Sequence, residues 1–243
     1  MMQSLPGETG IFAPFTLYTI DPKSWGGKAY ALRHLGCGFP VHPGGLLATC
    51  AHVVADVNSD KEMLVAQHPT EGVCHLIKKV TSHARGDFAV LELDCRFNVV
   101  PTAILGTLPL GVQSFSYGYY DYFIDNGEFN IIPQVYTGTI TATPTRFKLP
   151  LQTKLPFYQL SFPCLPGFSG SPLYSQINDG HALSGMMFGN ESSQITERYV
   201  SETDIDGSRV IEKSVRIFES GAAHTCDALK HYAKDLGYDL WPQ

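Results

Sequence analysis

Three residues in this chain could together open an acyl bond: a serine in a glycine turn, a histidine and an aspartate. Ser169 sits in LPGFSGSPLYS, residues 165–175, with Gly167 and Gly170 around it. A serine hydroxyl is a poor nucleophile until a base takes its proton. His52 follows the apolar run of LLATCAHVV, residues 46–54, and can be that base if its imidazole is neutral and in the right tautomer. Asp87 opens GDFAVLELD, residues 86–94, just ahead of an apolar run. An acid placed there must find a hydrogen-bonding partner or cost several kcal/mol, and an imidazole N–H would satisfy it.

Each residue also has a plain explanation. His52 is one of nine histidines and could be a satisfied core residue. Asp87 could be a turn aspartate after Gly86, and a lone Gly-x-Ser-Gly is usually only a turn. The order separates the readings: His, Asp and Ser follow one another at 52, 87 and 169, each at a strand boundary. Flanking glycines let the backbone adopt unusual dihedrals and approach a substrate closely. Such a turn can aim the N–H groups of Gly167 and Ser169 at one point, which an oxyanion forming under attack requires.

The elements that must hold these residues read as strands. IFAPFTLYTI, EMLVAQ, CHLIKKVTSH, FAVLEL, VQSFSYGYY, QVYTGTITATPTRF, PFYQLSF, ALSGMMF and SRVIEKSVRIF are rich in β-branched and aromatic residues or alternate in polarity. Turn signals HPGG, DNGE and NDG separate them. Residues 143–155 read as the end of a strand and then a long connection. One helix is expected near the end, over 220–236, capped by Ser220 or Thr225 and stopped by Gly237. Its histidines, His224 and His231, read as barrel packing rather than metal ligands.

Composition narrows the function. The formal net charge is -6 with no basic cluster, which offers nothing to nucleic acid or an anionic membrane. No run approaches the ~18 apolar residues of a membrane span. The first residues, MMQSLPGETGIFAPF, lack a basic and then apolar leader, so a cytoplasmic location is expected. None of the six cysteines (37, 50, 74, 95, 164 and 226) forms a Cys-x-x-Cys pair. They read as mostly reduced, and no metal or cofactor is expected.

The motifs resemble those of chymotrypsin-like serine peptidases. ATCAH is similar to the family's TAAH, GDFAVLEL to its Asp-led apolar strand, and PGFSGSPL to its G-[DN]-S-G-[GS]-P-L turn. QSFSYGYYD, VYTGTITA and ALSGMMFGN resemble strands of the HtrA-like branch, and the likeness covers roughly residues 30–190. The resemblance implies an all-β fold of two six-stranded antiparallel barrels with a C-terminal α-helix. It implies one peptidase domain over 1–243: a first barrel near 9–110, a second near 111–219, then the helix. No PDZ-like extension follows the barrels in this chain. The resemblance makes Ser169 the nucleophile, His52 the base, Asp87 the orienting acid and a protein or peptide the substrate.

Three departures carry further expectations. Phe168 stands where secreted trypsins carry an aspartate that pairs with a newly cut N-terminus, so activity should not depend on such a cut. A partner or the substrate would then set the oxyanion loop. Cys37 occupies one half of a trypsin disulfide, but Val53 occupies the other. Pro163 stands where an aspartate would select Arg or Lys. The walls of the specificity pocket, Pro163, Cys164, Met187, Phe188 and Gly189, therefore suit a small or apolar acyl-side residue. Two other readings stay open: a protease-fold protein that binds a peptide without cutting it, and a viral polyprotein-processing protease.

Overall fold

The computed structural model describes residues 13–26, 31–68, 72–98, 100–103, 106–125, 128–143, 155–178, 180–203 and 209–241. Two closed antiparallel barrels of six strands each account for most of them. The first is built from β1 (Phe15–Ile20), β2 (Ala31–His42), β3 (Leu46–Thr49), β4 (Met63–Gln67), β5 (Cys74–Ser82) and β6 (Ala89–Leu93). The second is built from β7 (Gln113–Asp125), β8 (Glu128–Ala142), β9 (Phe157–Leu160), β10 (Pro172–Ile177), β11 (Gly180–Thr203) and β12 (Arg209–Thr225). The all-β, two-barrel expectation is met, with a five-residue helix α1 (Ala51–Ala55) and the C-terminal α2 (Cys226–Asp235) added.

The first barrel closes on apolar side chains that point inward at alternate positions. Leu17, Phe39, Val41, Leu47, Phe88 and Leu91 are all fully buried. The run 88–91 is buried without a break, because β6 lies between β3 and β5 and is covered on both faces. The second barrel closes on Ile140, Tyr158, Leu160, Phe168, Leu173 and Met187.

Helix α2 begins later than expected. Thr225, not Ser220, is the N-cap, its hydroxyl accepting the Ala228 N–H at 3.1 Å. Residues 220–225 belong instead to β12, which pairs them with β11. The helix buries Ala228, Leu229, Tyr232 and Ala233 in a cluster shared with Phe88, Met186 and Ala222, so it packs against both barrels. Tyr232 stacks on Phe88 at 6.0 Å between ring centres. Its ring also covers Gly86, where an added Cβ would meet it at 2.7 Å. The turn that carries Asp87 is therefore held down by the C-terminal helix. Most of the expected connection over 143–155 lies outside the described residues.

Candidate active site

His52 sits in the first turn of α1, immediately after β3. Asp87 lies two residues before β6, the strand paired with β3, so the Thr49–Ala89 register brings the two together. The His52 ring donates from Nδ1 to Asp87 Oδ2 at 2.6 Å, and the His52 backbone N–H donates to Asp87 Oδ1 at 2.9 Å. The aspartate is 4% exposed while the imidazole is half exposed. One edge of the ring is thus fixed by a buried acid, and the other is left toward solvent. Burial raises the Asp87 pKa, but hydrogen bonds and charge from His52, with a smaller contribution from His224, outweigh it and leave the acid below its usual range.

The loop that carries Ser169 is set by backbone contacts. The Gly170 N–H donates to Met187 O at 2.9 Å, and the Met187 N–H donates to Ser171 O at 2.9 Å. The Cys37 N–H donates to Ser169 O at 2.9 Å. The Cys50 thiol, two residues before His52, donates to the same Met187 carbonyl at 3.2 Å. These bonds seat Ser169 against the segment that leads into His52. Gly170 has φ +83, and an added Cβ there would drive into Cys37 O and Thr49 Oγ1. Gly167 has φ +88, and its Cβ would reach within 2.5 Å of Tyr119 O. No side chain fits at either place.

Among the described residues, neither the Gly167 N–H nor the Ser169 N–H donates to a protein acceptor, whereas the Phe168 N–H between them bonds Leu165 O at 2.9 Å. Both donors thus have no protein acceptor among the described residues. The Ser169 hydroxyl contacts the Cys164 thiol. Among the described residues no hydrogen bond joins it to His52; such bonds often tighten only when substrate is present.

Residues 36–186 match the family described as "Trypsin-like peptidase domain". The chain belongs to that family. Two curated relatives are "Probable periplasmic serine endoprotease DegP-like" proteins. The one from Pseudomonas savastanoi pv. phaseolicola is 27% identical over 172 residues, which is 67% of this chain and 31% of the relative. The one from Ectopseudomonas mendocina is 26% identical over 192 residues, 77% of this chain and 37% of the relative. The peptidase chain thus spans about a third of the length of these relatives. Among solved structures it is similar to "HtrA-type protease AlgW with decapeptide", with TM-score 0.61 and 20% identity over 93% of this chain and 65% of that one. The HtrA-type serine peptidase resemblance read from the motifs stands. The cytoplasmic location does not: the curated relatives are periplasmic by name and point to that compartment instead. The first residues of a chain matching a third of its relatives carry no weight against them.

The pocket walls differ in detail from expectation. Pro163 and Gly189 are partly exposed, but Cys164, Met187 and Phe188 are buried. Met187 points into the second barrel's core. Phe188 packs on Phe157 and stacks on His224 at 4.1 Å, so its ring lies under the site rather than in a cleft. Sequence reasoning passed over Asn190, which ties the two walls together. Its Oδ1 accepts the Cys164 N–H at 2.6 Å, and its Nδ2 donates to Cys164 O at 2.9 Å. Only the "FGN" end of the β11 motif pointed toward it.

His224 lies on β12, not on the helix. It is buried, with its ring against Phe188 and edge-on to Tyr232 at 5.5 Å. Burial pulls its pKa down to about 4, partly countered by Asp87, so it is neutral at neutral pH. None of the six cysteines is joined in a disulfide. Cys164 is pushed up to about 12, mainly by burial, which leaves it a protonated, inert thiol despite touching Ser169. Candidate metal-ligand atoms of Cys50, His52 and Asp87 lie within 4.8 Å of one another. The Asp87 carboxylate is spent on His52, and burial holds the Cys50 thiol well above its usual pKa. That donor set suits proton handling better than an ion.

Phe168, at the position where secreted trypsins carry an aspartate, is fully buried. Its ring meets Tyr136 edge-on at 5.4 Å. An aromatic anchor inside the second barrel occupies the place of an ion pair. Burying such a ring is worth about 1.5–3 kcal/mol.

Proposed function

We propose that the residues described here act together as one endopeptidase unit that cuts a protein or peptide through an acyl-enzyme. Ser169 Oγ attacks the scissile carbonyl. His52 takes the hydroxyl proton and returns it to the leaving amine. Asp87 fixes the tautomer and steadies the imidazolium. The N–H groups of Gly167 and Ser169 receive the oxyanion. The observation that carries this reading is the grip of buried Asp87 on both the ring and the backbone of His52.

Pro163, which brings no charge to the pocket wall, supports an uncharged, small or apolar residue on the acyl side of the cut. The buried Phe168 ring supports a loop set without a cut N-terminus. A protein substrate is supported by relatives named as endoproteases and by a similar solved structure that carries a decapeptide.

The test is digestion of an unfolded protein such as reduced casein, with cut sites mapped by mass spectrometry. Cleavage after small or apolar residues is expected, and none by Ser169→Ala. Equal cleavage by that purified variant would remove Ser169 from the reaction, and a strong Arg or Lys preference would overturn the pocket assignment.

A further inference from the structure

The turn that presents Asp87 is tied by a side chain outside the triad. His83 follows β5, and the chain folds back from it into β6, with the His83 N–H donating to Phe88 O at 2.8 Å. Inside that turn the Gly86 N–H donates to His83 Nδ1 at 2.7 Å, and the Arg85 N–H donates to the same nitrogen at 3.3 Å. A backbone N–H can only donate, so Nδ1 carries a lone pair and the ring proton sits on Nε2. Nε2 in turn donates to Asp235 Oδ2, on α2, at 3.3 Å. The imidazole is only 13% exposed, with the Tyr232 ring against it at 4.7 Å between centres.

We propose that His83 is a positioning residue that works as a proton-sensitive latch. Neutral, it holds the turn that aims Asp87 at His52; protonated, it releases that turn and slows turnover. The inference rests on the reading of Asp87 as the residue that orients His52.

A second proton can go only to Nδ1, the nitrogen that accepts from the turn. The ring then sets N–H against N–H, and both turn bonds are lost. There is no room to adjust: Gly86 is buried beneath Tyr232, and a Cβ on it would lie 3.0 Å from Nδ1 itself. The charged groups around the ring leave the cost on the turn. Asp235, which also faces His231 Nε2 at 3.7 Å, keeps its bond to the protonated ring through Nε2. Arg85 is exposed on the turn, and the Asp87 carboxylate is directed at His52. Gly86 is the residue before Asp87, so a displaced turn draws the carboxylate from its 2.6 Å bond to the His52 ring.

The test compares two variants in hydrolysis of fluorescein-labelled casein from about pH 5 to about pH 8. In His83→Asn the side-chain oxygen takes the place of Nδ1 and accepts at every pH; His83→Leu cannot accept. Near pH 8, His83→Leu should lower kcat roughly tenfold to hundredfold with KM held within about twofold, and His83→Asn should restore kcat to within about threefold. On the acid side, log kcat of the wild type should fall with a slope above one, because two histidines take protons, while His83→Asn falls with a slope of one. Equal slopes, or an Asn variant as slow as the Leu variant, would overturn the proposal. Failure of the catalytic reading would show separately, as cleavage that persists in Ser169→Ala or Asp87→Asn. The latch is then tested by the His83 tautomer, read by 15N NMR of histidine-labelled protein with His83→Asn to assign the signal. A proton on Nε2 is expected, and a proton on Nδ1 alone would contradict it.

Discussion

The two barrels share a strand order but hold their parts of the site in different ways. The first is compact, with β3, β4 and β6 of four or five residues. It fixes His52 and Asp87 by ladder register, burial and the weight of α2 on the Gly86 turn. The second carries long ribbons, 13 and 15 residues in β7 and β8, 24 and 17 in β11 and β12. Its contribution to the site is the Ser169 hydroxyl on a glycine-bounded loop, with two backbone N–H groups beside it. The His52–Asp87 pair is thus held by buried side chains, and the Ser169 loop by main-chain contacts. Changes in the first barrel should hurt turnover, and changes in the second, Ser169 apart, should act through loop stability and substrate binding.

The largest effect should come from the first barrel. Asp87→Asn keeps the hydrogen-bonding shape but favours the wrong His52 tautomer, and kcat should fall roughly 10⁴-fold in a protein that stays folded. A fall of less than tenfold would move the orienting role elsewhere. Next comes the anchor of the second barrel. Phe168→Ala should cost about 3–5 kcal/mol in chemical denaturation, from lost burial and the cavity left behind. A cost below about 1 kcal/mol would mean that the ring does not hold the loop.

His224 sharpens the comparison because it belongs to the second barrel yet borders Asp87. Burial lowers its folded pKa to about 4, against about 6.5 unfolded. The unfolded chain therefore binds the proton first as the pH drops. Its contribution is whole above about pH 6.5 and is lost as the pH falls toward 4, about 3 kcal/mol in all. Asp87, also lowered, adds a loss in the same direction at lower pH. His224→Gln should flatten the stability curve between pH 4 and 6.5, and an unchanged slope would assign it to other groups. The smallest effect should be that of Asn190→Ala. Freeing the Cys164 backbone should raise KM by roughly threefold to tenfold with kcat held within about twofold. A change in kcat alone would place Asn190 in the chemistry instead.

Much of this was legible in the residues. The strand runs around His52, Asp87 and Ser169 were visible because each barrel strand must bury an apolar face, and that leaves a pattern. The glycines at 167 and 170 announced a loop that only glycine can make. Other features left no such trace. The stretch 190–203 was not read as strand, because its pairing with β12 rests on backbone register rather than an apolar period. Asn190 and His224 act through neighbours distant in sequence, Cys164 in one case and Asp87 in the other, and only the folded register brings them there. The helix start was misplaced because Ser220 and Thr225 are equally good caps in sequence, and pairing of 220–225 with β11 decided between them.

The central claim is that Ser169 is a nucleophile activated by a histidine that Asp87 holds. The most direct measurement is labelling of the purified protein by a fluorophosphonate probe, with the modified residue located by mass spectrometry and Ser169→Ala and Asp87→Asn as controls. The expected result is a single adduct on Ser169, absent from the first variant and formed far more slowly in the second. A well-folded wild-type protein that takes no label, or one labelled equally fast without Asp87, would contradict it.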